Sequence, residues 1–286
     1  MKPVSDHALY PPDRQKQGWR WPLRQAARAL ALVAGGLLLL YLTIPLFVVI
    51  AQALEVGLVE QIGQPTVAHA IRLSLTTTLL SAAVTTLFGT PLAYWLARGQ
   101  LRGRAVIETL LDLPIVLPPA VAGLALLMTF GRRGVFGTAL AQLGLSLPFT
   151  TLAVVMAQVF VAAPFFIRSA QTGFASVPRE IEEGASDLGA SPWRVFRYVT
   201  FPLAGPALLS GVILSGARAL GEFGATILFA GNFAGRTQTM PLAIYQALES
   251  DLGAALALAA ALVFISFGCL LILRWITRGR LAHPML

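Results

Sequence analysis

Charge is scarce in this sequence. Of its 286 residues, 12% are Asp, Glu, Lys or Arg, about half the share of a soluble domain. Cysteine is nearly absent: Cys269 stands alone, which excludes a disulfide or a cysteine metal site within one chain. Lysine is limited to Lys2 and Lys16, and no G-x-x-x-x-G-K-[ST] run occurs, so the chain has no P-loop. If ATP powers it, another polypeptide binds the nucleotide. His7, His69 and His283 are scattered and never form H-E-x-x-H. No G-x-S-x-G occurs either, since Ser215-Gly216 follows Leu214. The chain is therefore read as non-catalytic, with no cofactor and no metal.

What is abundant is apolar. Hydrophobic residues make up 56% of the chain, and mean hydropathy is +0.73. This excludes a disordered chain, a nucleic-acid-binding domain and an ordinary cytosolic enzyme, and points to a membrane protein. A transmembrane helix needs about 20 mostly apolar residues. Uncharged runs of 26, 25, 19 and 22 residues lie between Arg28 and Glu55, Arg72 and Arg98, Asp112 and Arg132, and Asp251 and Arg274. The 34 residues between Arg133 and Arg168 are too many for one helix and break around Gly144–Pro148. The expected spans are 29–53, 73–97, 113–131, 147–167, 203–229 and 252–273, within a single membrane domain over 29–275. The fold class is all-α with six transmembrane helices. Strand-like alternation is absent, which argues against a β-barrel.

The formal charge of +8 admits nucleic acid, anionic lipid or an anionic substrate as partner. Its distribution decides. With the N-terminus inside, sixteen of the 21 Lys and Arg fall on the cytoplasmic side and four outside: Arg72, Arg132, Arg133 and Arg236. Most of the charge is thus a topology signal. It places both termini, tails 1–28 and 276–286, in the cytoplasm and supports no nucleic-acid role. Ala51-Gln52-Ala53 resembles a signal cleavage site, but the apolar run before it is longer than a signal peptide's, so the first span reads as an uncleaved anchor. Trp19 and Trp21 beside Arg20 and Arg24 suit a segment at the lipid surface or a plain topology signal.

The segment 168–201 is not linker-like. Pro178 followed by Glu180, Glu182 and Glu183 suits a helix start, and Gly189 stops that helix. Ser191-Pro192 is a second start. Trp193, Phe196 and Val199 give the second short helix an apolar side, and Pro202 is expected to end it. Two such helices fit either a docking element or a pair resting on lipid.

Glu183-Gly184-Ala185, three residues, Gly189, nine residues and Val199-Thr200-Phe201-Pro202 resemble the EAA–x3–G–x9–I–x–L–P signature of ABC-importer permeases. Gly184, Val199 and Phe201 depart mildly from it. The resemblance implies that Glu183, Gly184, Ala185, Gly189, Trp193, Phe196, Val199, Phe201 and Pro202 couple the chain to a separate cytoplasmic ATPase. Further words narrow it: Asp112–Pro119, Gly131-Arg132-Arg133-Gly134, Ala217–Thr226, Gly231-Asn232 and Gly235–Pro241. Together, over about residues 66–275, they look like the permease of molybdate importers, with tungstate and sulfate/thiosulfate permeases as close relatives. This implies a homodimer in the bacterial inner membrane, an extracytoplasmic oxyanion-binding protein and alternating access. An ion-coupled secondary transporter is the alternative class, but no clear internal repeat supports it.

One charge pair falls inside a span. An arginine at mid-bilayer costs about 2.5–3.5 kcal/mol on insertion scales, so Arg218 needs a partner. Glu222, four residues on, is placed to supply it. At about 1.5 Å per residue from Pro202, Arg218 lies about 24 Å in. The pair is either purely structural or a polar element of a translocation path with Thr226 and Asn232. Ala217, Gly221 and Ala225 allow close helix approach, within the chain or between two copies. Arg132, Arg133 and Arg236 are either solvated loop charges or a point of attraction for an anion or the binding protein. Thr237, Gln238 and Thr239 either bond an oxyanion or cap a re-entrant turn. Pro114, Pro118 and Pro119 mark a kinked entry to the third span.

Overall fold

The computed structural model describes residues 20–99 and 103–281, with side chains for 27–99 and 103–276. Of the expected tails, residues 1–19 and 282–286 lie outside the described residues. The chain forms two compact units, Met1–Ala51 and Gln52–Leu286. Among the described residues every regular element is helical.

Helix α1 is Arg20–Glu55. Its part in the first unit is exposed along nearly all of its length, with Leu, Val and Phe side chains outward. The second unit continues with α2 (Leu58–Gly63), α3 (Pro65–Arg98), α4 (Arg104–Val116), α5 (Pro119–Phe130), α6 (Gly137–Gln142) and α7 (Thr151–Ala175). Then come α8 (Arg179–Asp187), α9 (Pro192–Val195), a π-helical turn Phe196–Thr200, α10 (Phe201–Leu220), α11 (Gly224–Phe229), α12 (Met240–Ser250) and α13 (Leu252–Leu281). Five of these helical stretches are long and apolar enough to cross a membrane, or six if the bent pair α4–α5 counts as one.

Helix α7 is the centre of the second unit. It runs parallel to α3: Tyr94 packs edge-on to Phe174, and Arg98 reaches the Val177 carbonyl at 2.8 Å. It runs antiparallel to α10, where Gly173 faces Ala204 and Ala207 and Gly211 faces Phe166 and Ser169. Lipid removes the hydrophobic drive that holds soluble cores together, so membrane helices associate through close packing of small residues. The buried set follows this: Ala93, Ala153, Ala157, Ala170, Ala204, Ala219 and Ala225 are fully buried, while Leu79, Leu87, Phe88 and Phe267 point outward. Thr150 starts α7 by accepting the Ala153 N–H at 3.2 Å.

The helices depart from the expected spans at several points. The third, 113–131, is two helices meeting at 114° across Leu117-Pro118. Pro118 and Pro119 hold this corner, because proline fixes φ and keeps its predecessor out of the helical region. The fifth, 203–229, stops at Leu220 and resumes at Gly224. Segment 168–201 is not all loop, since α7 continues to Ala175. Pro202 does not end the second short helix. Residues 192–220 form one continuous helical stretch, with the Phe201 N–H reaching back five residues to the Phe196 carbonyl. That π turn loosens the ladder just before Pro202, which would otherwise clash with the preceding turn. Charge gaps locate the apolar middle of a helix and miss these breaks.

Gly123 fixes the α5–α11 crossing. A Cβ there would lie 2.7 Å from the Ala225 carbonyl oxygen and 2.9 Å from its Cα. Gly123→Val is expected to cost about 1–3 kcal/mol through overpacking, read as a lower unfolding temperature of the detergent-solubilised protein.

Candidate coupling and pathway sites

At the end of the bundle where α3 and α7 terminate, α8 and α9 form a fixed corner. The Gly189 N–H bonds the Ser186 carbonyl at 2.8 Å and the Ala190 N–H the Ala185 carbonyl at 3.1 Å. These two bonds complete a Schellman motif around Gly189, whose φ of +86° suits glycine. Ser191 is the N-cap of α9 and Pro192 its first residue.

One carboxylate locks the corner to the bundle. Glu182 Oε1 accepts from Arg98 Nη2 at 2.9 Å and from Thr200 Oγ1 at 2.6 Å. Thus α8, the end of α3 and the π turn meet at a single oxygen. Phe196 is the apolar counterpart. Its ring lies 5.0 Å from Tyr94, 5.7 Å from Trp193, 5.9 Å from Phe201 and 6.2 Å from Phe174. Glu183, Gly184 and Gly189 are exposed, Ala185 and Val199 half-buried. Around them an apolar surface opens outward: Leu188 is 92% exposed and Trp193 68%, with Ile181 and Tyr198 nearby in sequence and also exposed. The residues expected to couple therefore divide in two. Phe196 packs against the core as an anchor, whereas Glu183, Trp193, Phe201 and Pro202 are exposed.

Arg218 Nη1 pairs with Glu222 Oε2 at 2.9 Å. Glu222 is 1% exposed and lies beyond the helix end, in the break between α10 and α11. Its other oxygen accepts the Ala225 N–H at 2.8 Å, which satisfies the start of α11. The pair thus stitches a broken helix as well as neutralising a charge. Thr226 is wholly buried, and its hydroxyl makes no hydrogen bond. Asn232 donates to Gln246 Oε1 at 3.1 Å in the following turn. Thr237 is buried within that turn: its hydroxyl accepts the Phe233 N–H and donates to the Gly231 carbonyl. Thr239 is buried as well, and Gln238 Nε2 donates to Gln246 Oε1 at 2.7 Å. The turn packs back on the bundle through the Met240 N–H and Ser74 Oγ, 2.7 Å apart. Arg132, Arg133 and Arg236 are exposed. Arg132 borders a cavity of about 360 Å3 closed by the Gly144–Pro148 turn.

Sequence reasoning missed two constellations. Glu182 was indistinguishable from its neighbours Glu180 and Glu183 without Arg98 and Thr200 in view. Arg168, the first residue of segment 168–201, sits in α7. It binds Asp112 through both Nε and Nη2, and also contacts the Glu108 carbonyl and Gln171. The i, i+4 spacing of Glu108 and Asp112 was the only available signal.

Residues 89–280 match the family described as "Binding-protein-dependent transport system inner membrane component". A probable molybdenum ABC transporter permease of Haloferax volcanii is 39% identical over 91% of this chain and 94% of its own length. The molybdenum transport system permease ModB of Mycobacterium tuberculosis is 44% identical over 72% and 78%. The sulfate transport system permease CysW of Synechococcus elongatus is 35% identical over 79% and 82%. Among solved structures, a bacterial ABC transporter involved in alginate import has a chain of TM-score 0.68 at 17% identity, covering 91% of this chain and 97% of that one.

Glu182→Ala removes both bonds at the corner and leaves Arg98 with the Val177 carbonyl alone. A local loss of about 1.5–3 kcal/mol is expected, measured as faster hydrogen exchange over Arg179–Thr200 with α7 unchanged.

Proposed function

The chain belongs to the family of binding-protein-dependent transport system inner membrane components, and from this premise we propose that it is the permease subunit through which an oxyanion, molybdate, enters the cytoplasm. Two copies pair in the bacterial inner membrane with both termini cytoplasmic. Separate ATPase subunits dock on the α8–α9 corner. An extracytoplasmic binding protein delivers the anion to the opposite end, where Arg132, Arg133 and Arg236 present positive charge.

The observation that carries this reading is the continuous stretch from the exposed corner to the internal charge pair. Residues 192–220 are 29 in number, which at 1.5 Å each makes a rod of about 43 Å. Its outer end, with Trp193, lies on the docking surface. Its inner end carries Arg218. A displacement of the corner by closing ATPases is therefore passed toward the pathway along one helix, whose weak points are the π turn, braced by Phe196 and Glu182, and Pro206. The chain does no chemistry; it converts a partner's movement into alternating access. Arg218 lends positive potential to a passing dianion, and Glu222 keeps the site from binding too tightly to release.

The choice of molybdate rests on the closer identity to permeases named for molybdenum, 39–45% against 33–35% for those named for sulfate. Uptake of labelled molybdate, tungstate and sulfate in cells with and without the gene tests it. Loss of sulfate uptake with molybdate uptake intact would reassign the substrate.

Glu183→Lys places a cation on the docking face without touching the corner's own bonds. Charge reversal at an interface costs several kcal/mol, so at least about tenfold less co-purifying ATPase and less uptake are expected, with normal membrane insertion. Gly189→Val forces a branched side chain into φ +86° and is expected to uncouple uptake in the same way.

A further inference from the structure

Helix α4 fully buries none of its residues; Ile107 and Leu111 pack on the core, and polar contacts to α7 add to them. The principal contact is a fork: Arg168 Nε meets Asp112 Oδ1 at 2.9 Å while Nη2 meets Oδ2. Gln171 braces the arrangement, accepting from Arg168 Nη1 at 3.0 Å and donating to Glu108 Oε1 at 2.8 Å. Beside this fork lies an open, mostly apolar cavity of about 430 Å3 between α4, α7 and α10, in which Arg168, Ser169, Thr172 and Ser210 are the polar lining residues. The three hydroxyls donate to backbone carbonyls. Arg168 is the one ionisable group on the cavity wall, and its side chain is 34% exposed.

We infer that Arg168 is a transient binding point for a tetrahedral oxyanion leaving the pathway, and that Asp112 occupies it as an internal competitor between passages. The inference rests on the oxyanion-importer reading. A guanidinium presents parallel N–H groups that fit two oxygens of a carboxylate and equally two oxygens of a tetrahedral oxyanion. The carboxylate of Asp112 therefore marks the geometry that an anion would take. Arg168 stands seven residues before the end of α7, about 10 Å from the α8 end of the bundle, where an anion would exit. The cavity has ample room for one such ion. Competition keeps the site weak: the anion binds when α4 carries Asp112 away, and the returning carboxylate expels it. A site that must release its ligand gains from such a competitor.

The test is equilibrium dialysis of labelled molybdate against the purified full-length chain with its co-purifying partners, alongside uptake in cells. Asp112→Asn removes the charge that fills the fork and keeps the side chain's shape, leaving Glu108 Oε2 3.8 Å from Arg168 Nη1. It should bind molybdate about tenfold more tightly and transport it more slowly. Arg168→Lys keeps a charge to pair with Asp112, so the protein still folds, but loses the fork; binding should fall about tenfold and uptake with it. Equal loss of uptake in both variants with binding unchanged would reduce the pair to a strut and overturn the inference. Loss of retained phosphatidylglycerol in Arg168→Lys, with molybdate binding unchanged, would assign the fork to a lipid phosphate and overturn it as well. If wild-type cells accumulate no oxyanion, the functional reading itself fails, and this inference fails with it.

Discussion

A single carboxylate oxygen ties three segments of this protein together. Glu182 Oε1 accepts a hydrogen bond from Arg98 at the end of α3 and one from Thr200 in the π turn. Charge-assisted hydrogen bonds are about twice as strong as neutral ones, and both groups are shielded, with side chains 14% and 17% exposed for Arg98 and Glu182. Without this junction, α8 would be a nine-residue helix with no buried residue of its own. Such a short helix is marginal by itself. With it, the corner is joined to the end of α3 and to the rod that follows.

The π turn beside that junction is the compromise the sequence makes. Pro202 cannot donate a backbone bond and would crowd the turn before it. Widening Phe196–Thr200 accommodates it without breaking the rod. The cost is a weak point, and the ring of Phe196, wedged among Tyr94, Phe174, Trp193 and Phe201, stiffens it from the side. Aromatic packing thus ties the π turn to Trp193, while Pro206, inside α10, is a second point where the rod lacks a backbone bond.

The helical class, the number of spans and the corner were legible in the sequence because each is encoded locally. Uncharged runs mark spans, Gly189 marks the corner, and Ser191-Pro192 marks the next start. What was not legible depends on contacts between distant segments. Pro202 reads locally as a terminator, and only the structure shows the chain passing through it. Glu182 reads as one of three similar acids until Arg98, 84 positions away, comes beside it. The burial of Thr226, a candidate for either a structural or a pathway role, is likewise seen only in the structure. Arg218 with Glu222 was legible because both ends of that pair lie within one turn of chain.

The distribution of polar pairs follows from the same economy. In lipid, an unpaired charge is too costly to keep, so each internal cation carries its own anion: Arg218 has Glu222, Arg168 has Asp112, and Arg98 has Glu182. These pairs differ in what they tie together. Glu222 lies four residues from its partner, so that pair moves as a unit with the α10–α11 break. Glu182 and Asp112 join segments that are distant in sequence, so those pairs can open only if helices move apart. Side-chain exposure separates these two in turn. The Glu182 pair is shielded and holds, whereas the Asp112 pair is 34% and 40% exposed and borders a cavity, where water can replace the bonds it loses. Of the charge pairs in this bundle, the one between α4 and α7 is therefore the one best placed to exchange partners as the helices move.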